Sequence, residues 1–263
     1  MRIWLFTLGL SSSLVYGQDD GLAGIDWSSQ YHQQQFSQGD HQSLKIALQP
    51  WLMWRDWQLY AELAYEYHHY TSSDIINRNG RLVRLLPRLN KTKIVYSELD
   101  SEGMGDIAVG LSYRLIHHEQ VNSLWSLDYK HDNGDFAIGL GTGSQDLSLQ
   151  SVWQYQQQAW RWQAHIGYST IHSTQAASLN TEASMYFWGV GLQHPLAEYS
   201  TIGLFYNDQS APYRNAPDPS YWRLQLNTQV HEQLQLLIAH SQYQTETPDL
   251  PSSEQKIALS WVW

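Results

Sequence analysis

From Trp57 to His69 the chain alternates. Odd positions carry Trp57, Leu59, Ala61, Leu63, Tyr65 and Tyr67, while even positions carry Gln58, Tyr60, Glu62, Ala64, Glu66 and His68. A helix would repeat every three or four residues, so this stretch predicts a strand with one apolar and one polar face. The same period of two runs through Leu44 to Trp54, Ile107 to Leu115, Trp160 to Tyr168, Tyr186 to Leu192 and Ile257 to Trp263. With a weaker strand at the start, the pattern predicts about twelve strands, over 24–36, 43–54, 57–71, 104–116, 122–132, 145–157, 159–172, 183–194, 199–209, 220–230, 233–245 and 253–263. Strands of this length suit a tilted membrane-spanning β-strand, which needs about 9–11 residues.

The connections alternate too. Those at Arg55-Asp56, His118 to Val121, Gln158, Pro195 to Glu198 and His231-Glu232 are short. Those around Gln38 to Gln42, Ser72 to Gly103, Asn133 to Ser144, Ser173 to Glu182, Gln209 to Ser220 and Thr247 to Ser252 are mostly longer. Short turns at one end and long loops at the other mark an outer-membrane barrel, with both chain ends on the short-turn, periplasmic side. Aromatic residues sit where the interfaces would be. Trp54 and Trp57 flank one short turn, Tyr155 and Trp160 another, and Trp261 and Trp263 close the chain. A soluble barrel or sandwich would also alternate, but needs neither the paired aromatics nor the alternating loop lengths. The predicted fold is all-β: a transmembrane antiparallel up-and-down β-barrel of about 12 strands. The ending "KIALSWVW" resembles the C-terminal signature of bacterial outer-membrane barrels, with Trp263 in place of the usual Phe. That resemblance implies the barrel-assembly machinery as a partner.

Composition narrows this further. Charged residues are 15% of the 263, yet there are 13 Trp, 17 Tyr and 5 Phe, too many aromatics for a disordered chain. A net charge of -10 argues against nucleic acid. Absence of cysteine removes disulfides, thiolate metal sites, cysteine catalysis and a lipidated N-terminus. Met1-Arg2, the apolar run Ile3 to Leu10 and "SSSLVYG" predict a signal peptide over residues 1–17, cut before Gln18, with the barrel over 18–263. The expected location is the bacterial outer membrane, in contact with its lipid and lipopolysaccharide.

Two glycine stretches need placing. "GMGDIAVGLSYRL", from Gly103, has the look of a phosphate loop, but such a loop must open a helix, and period two follows instead. It reads as a tight turn that closes the longest loop and opens a strand, with Asp106 facing the mouth. "GLGTGSQDLSLQSVW", from Gly139, behaves alike and points Asp146 inward. Gly103, Gly105, Asp106 and Tyr113, with Gly141, Thr142, Gly143 and Asp146, resemble the meta-pathway-of-phenol-degradation (MetA-like) transporter family of outer-membrane barrels and its uncharacterised relatives. That family has Pro-Thr-Gly before the second motif, where this chain has "KHDNGD". The resemblance covers about 50 residues. It implies a porin-like or transport role, for aromatic or other apolar molecules among others, and no catalytic residues.

Positions opposite the apolar face should line the lumen: Lys45, Glu62, Glu66, Asp106, Arg114, Asp128, Lys130, Asp146, Arg161, His165, Arg223 and Lys256. Twelve strands enclose a lumen between the filled eight-stranded barrel and the open porin. Charges there must be hydrated or cross-paired. The expected function is a narrow porin-like channel, with a side-chain plug without conductance as the alternative. In the long loop, Arg78, Arg81, Arg84, Arg88, Lys91 and Lys93 stand among leucines. This cluster could bind lipopolysaccharide phosphates, fold into the mouth or lie free on the surface. A barrel hydrolase of the outer-membrane phospholipase type is the least favoured reading, because "HDNG", His131 to Gly134, lacks the serine of the H-x-S-N-G motif. The pairs His68-His69 and His117-His118 point to opposite strand faces where they lie on a strand, so neither pair can chelate one metal. No cofactor motif is present.

Overall fold

The computed structural model describes residues 22–36, 39–72, 98–134, 140, 144–173, 184–211, 218–244 and 251–261. The expected signal peptide, the basic cluster from Arg78 to Lys93, the Gly141–Gly143 motif and Trp263 lie outside these residues. Among the described residues, thirteen strand segments follow in chain order. They are β1 (Leu22–Phe36), β2 (Gly39–Trp54), β3 (Trp57–Ser72), β4 (Glu98–Met104), β5 (Ile107–His117), β6 (Val121–His131) and β7 (Ser144–Gln157). Then come β8 (Trp160–Ser173), β9 (Ser184–Ala197), β10 (Ser200–Gln209), β11 (Ser220–His231), β12 (Leu234–Tyr243) and β13 (Ser253–Trp261).

Successive strands pair antiparallel, and β1 pairs β13 from Trp27↔Trp261 to Gln35↔Ser253, which closes the sheet. Both β4 and β5 pair with β3, so they are two halves of one stave and the barrel has twelve. Closure pairs every stave on both sides, as a sheet in hydrocarbon requires, and among the described residues β4, beyond the bulge, pairs with β3 alone.

The sequence-expected turn at Gly103 to Asp106 is a correction. Glu66 pairs Gly103, but Glu62 pairs Ala108, so five steps on one strand face four on the other. That is a β-bulge, held by Gly105 N–H donating to Ala64 O at 2.9 Å. The strand does not turn, because β3 runs on to Ser72 and offers β4 a ladder. A second correction concerns Gln38 to Gln42, expected as a loop. Gly39 pairs Phe36, so β2 begins four residues earlier than expected. Side-chain hydrogen bonds from His41 to Gln34 and His68 extend the ladder there.

The barrel is inverted relative to a soluble protein. Leu48 is 47% exposed, Leu149 48% and Ile166 63%, all on the outer face. Among the described residues the buried apolar side chains are few, small ones such as Ala47, Ala64 and Ala239 beside Phe36, Phe205, Tyr221 and Tyr243, while Glu254 and Lys256 are nearly covered at 1% and 3%. Exposed apolar area on this scale far exceeds the few hundred Å² patch of a soluble monomer and belongs in lipid. Trp54 pairs Trp57 around a two-residue hairpin whose Arg55 has φ 53°, and Gln158 does the same at φ 54°. The Trp57 and Tyr113 rings meet at a tilt with centroids 4.5 Å apart, and Trp160 meets His194 edge-on at 4.4 Å, forming the aromatic rim of the short-turn end.

A charge on the outer face should therefore be costly and one on the inner face should not. Leu127→Arg, in the row Leu111–Leu127–Leu149, is expected to lower folding stability in vesicles by about 2–4 kcal/mol, while the half-buried, inward Gln163→Arg changes it by less than about 1 kcal/mol. Urea titrations of folding into vesicles check both.

Candidate functional site

The inward residues of the twelve staves form the site. Parity sets them: even positions on β1, β3, β5, β6, β7 and β13, odd positions on β2, β4 and β8 to β12. The bulge makes β4 and β5 differ, since Ser101 and Gly103 face inward before it and Asp106, Ala108, Gly110 and Ser112 after it.

The bulge is latched from the next hairpin. Asn133 Oδ1 accepts the Ile107 N–H at 2.6 Å, and its Nδ2 donates to Gly105 O at 3.3 Å. Asp106 accepts the Gly134 N–H at 3.0 Å. Lys130 then joins three strands, 3.6 Å from Asp106, 2.5 Å from Asp146 and donating to Ser144 Oγ at 3.3 Å. Both glycines are closely approached, and Gly103 also has a backbone conformation that favours glycine. A Cβ on Gly103, at φ 151°, would lie 2.6 Å from Leu140 Cδ1, and one on Gly105 would lie 2.8 Å from Glu66 Oε1. The "HDNG" stretch thus spends Asn133 and Gly134 on this latch.

Toward the same end, Gln34, His41, His68 and Glu66 form a buried hydrogen-bonded string, with links of 3.1, 2.9 and 3.1 Å. Tyr70 stacks on His41 at 4.2 Å. His68 faces inward, whereas His69 meets Asp100 at 2.6 Å, so the two histidines part as strand geometry requires.

Two further groups lie along the lumen. Lys45 pairs with Glu62, and Tyr60 donates to Asp128 across the space left by Gly110. A Cβ on Gly110 would come within 2.4 Å of Asp128 Oδ1. Around the barrel, Glu254 meets His32 Nδ1 at 2.8 Å and accepts from Tyr243 OH at 3.3 Å, with Arg223 Nη2 at 3.8 Å. Arg223 Nε donates to Ser241 Oγ at 3.0 Å, and its guanidinium lies 5.3 Å over the Tyr221 ring.

The remaining wall, β8 to β10, is glycine-rich. The Phe187 ring lies over Gly167, and the Phe205 ring lies over Gly191 and Gly203, each within 2.6 Å of where a Cβ would stand. Nearer the short turns the inward side chains include the amides Gln49, Gln58, Gln154, Gln163, Gln225 and Asn227, all half-buried rather than buried, beside Trp51, Leu124, Leu237, Arg114 and Arg161. The inward side chains are thus less covered at that end than at the other.

Glu62, Glu66, Asp106, Arg114, Asp128, Lys130, Asp146, Arg161 and Arg223 all occupy inward positions; Arg114 is half-buried, and Arg161 is exposed near a short turn with its Nε donating to Gln156 at 3.3 Å. The structure gathers Asp106, Lys130 and Asp146 into one group, Glu62 with Lys45 into a second, and Arg223 into a third. Glu254, His32 and Tyr243 were not singled out from sequence. Their parity would have shown them: Glu254 and Lys256 lie on the opposite phase to Ile257 and Leu259.

No protein-family model matches the chain, and no curated protein matches it either. Solved structures do. A crystal structure of an outer membrane channel from Pseudomonas putida F1 superposes with a TM-score of 0.68 at 10% identity, covering 94% of this chain and 99% of that one. The NanC porin superposes at 0.52 and 10% identity, covering 91% and 100%. The fold is that of outer-membrane channel and porin barrels. With its apolar outer face, it places the protein in the bacterial outer membrane.

Lys130 separates two carboxylates, so its loss should leave them facing each other without a cation. Lys130→Met is expected to destabilise the barrel by about 3 kcal/mol. Adding Asp106→Asn and Asp146→Asn should restore most of that loss, as read from urea midpoints in vesicles.

Proposed function

We propose that the protein is a narrow porin-like channel of the outer membrane. The observation that carries this reading is the graded lumen. Half-buried amides, with Arg114 and Arg161 among them, line much of the short-turn half, and charged side chains held in pairs line the other. A barrel built only as a scaffold gains nothing from a hydrated amide-lined interior, whereas a small polar path needs one. The close packing around Glu254, Lys256 and Ser241, at 1 to 3% exposure, favours one alternative, a plugged barrel that serves a partner instead of conducting.

We also propose kinship with the MetA-like family of the meta pathway of phenol degradation, and with it small aromatic or apolar molecules as cargo. Its support is the Gly103–Gly105–Asp106 set, which here builds a bulge with Gly103 at φ 151°, a conformation that favours glycine. Lipopolysaccharide at the basic loop and the barrel-assembly machinery at the final strand are the proposed partners.

Refolded protein in a planar bilayer tests the channel reading. Discrete unitary steps, smaller than those of a 16-stranded porin, are expected; a folded barrel that stays silent would favour the plug.

A further inference from the structure

The outer face of the barrel is not evenly convex. Over β7 to β11 it carries a groove of about 880 Å³. That size falls within the range of about 300–1,000 Å³ that ligand pockets occupy. Trp153, Trp160, Trp162 and Trp222 line it, all of them exposed on the outer face. The hollow follows from small residues set among these rings. Ala164 is the small member of the outward row Trp160–Trp162–Ala164–Ile166–Tyr168, and Gly191 and Gly203 add backbone alone.

Chemistry and depth decide what fills the groove. Its lining is apolar apart from Gln154, Gln163 and His194. By parity the two glutamine side chains belong to the lumen. One imidazole remains, too few partners for ordered water, which needs about 2–4. A hollow left empty forfeits the dispersion contacts of its lining, so hydrocarbon is the material that enters it.

Two aromatic rows bound the groove. At the far end, Trp188, Tyr206 and Trp222 form a chain of rings with centroids 5.6 and 5.1 Å apart. Toward the short turns, Trp160 and His194 meet edge-on. Between the rows lies an unbroken apolar strip that includes Val190, Leu192, Ile202 and Leu204. Along β9, Trp188 to His194 covers about 20 Å at a rise of roughly 3.3 Å per residue. On a strand tilted by about 40° this is a depth of about 15 Å, half of the roughly 30 Å hydrocarbon core. The groove thus has the depth of one leaflet, and its place at the short-turn end makes that leaflet the periplasmic one.

We propose that this groove is a binding site for the acyl chains of one phospholipid of the periplasmic leaflet. Its headgroup lies at the level of Trp160 and His194, and the molecule is retained where ordinary boundary lipid exchanges. The proposal uses the barrel's membrane location and is independent of conduction.

The test refolds the full chain into vesicles of phosphatidylethanolamine and phosphatidylglycerol, with lipopolysaccharide added to half of the samples. Native mass spectrometry after extraction in mild detergent then reads what the barrel retains. Wild type is expected to carry one phospholipid per barrel in both sets. Ala164→Trp fills the groove, and the retained fraction falls about tenfold, the worth of roughly two buried methylenes. Leu48→Trp, at an exposed outer position of β2, leaves it unchanged. Gel mobility of unheated against boiled samples shows that each variant is folded. Should Ala164→Trp fail to fold, Ala164→Leu fills the groove in part and gives a smaller fall in the same direction. A barrel that retains nothing or detergent alone, or retention unchanged in the folded Ala164 variant, would overturn the proposal. So would an equal loss in Leu48→Trp, lipopolysaccharide retained in place of phospholipid, or a two-barrel mass showing that a second copy covers the groove.

Discussion

Hydrocarbon offers a peptide group no hydrogen-bond partner, and the rest of this structure follows from that. Each backbone N–H and C=O in the span must pair within the sheet, so the sheet has to close. The closing contact is between β1 and β13, from Trp27↔Trp261 to Gln35↔Ser253. Once closed, a strand has only two directions for its side chains, lipid and lumen. Ordinary burial is then reversed: Leu, Ile and Trp go to the outside, while Glu254, Lys256, Arg223 and Asp106 are enclosed.

An enclosed charge is tolerable only if it is paired or wet. Both solutions occur, at different heights. Around Asp106, Lys130 and Asp146, and around Glu254 and His32, the charges are paired across staves. Toward the short turns, amides and the charged Arg114 and Arg161 are less covered. Glycine supplies the room that this packing needs. Gly110 lets Tyr60 reach Asp128, and Gly191 and Gly203 let the Phe205 ring lie against the wall.

Much of the fold was legible in the sequence because its signal has the period of the pleat. Trp57 to Tyr67 fixes both the strand and its faces without reference to any other part of the chain. The inward parity of Glu62, Asp128 and Arg223 follows from their apolar neighbours in the same way. What could not be read was anything that depends on pairing between distant segments. The stretch Gly103 to Asp106 looks like a turn in isolation; it is a bulge because β3 continues alongside it and Asn133 and Gly134 clasp it from another hairpin. Likewise, Lys130 as the link between Asp106 and Asp146 depends on three strands in register.

The absence of cysteine from the chain makes one direct measurement straightforward. Single cysteines from Ser101 to Leu115, each spin-labelled in the folded barrel in vesicles, report contact with lipid or with water. A closed, inverted barrel with a slip at Gly105–Asp106 gives lipid contact at Met104, then at Ile107, Val109, Leu111 and Tyr113, with a three-residue step in a series otherwise spaced by two. An unbroken spacing of two through 104–108, or contact with water at every position, would contradict it.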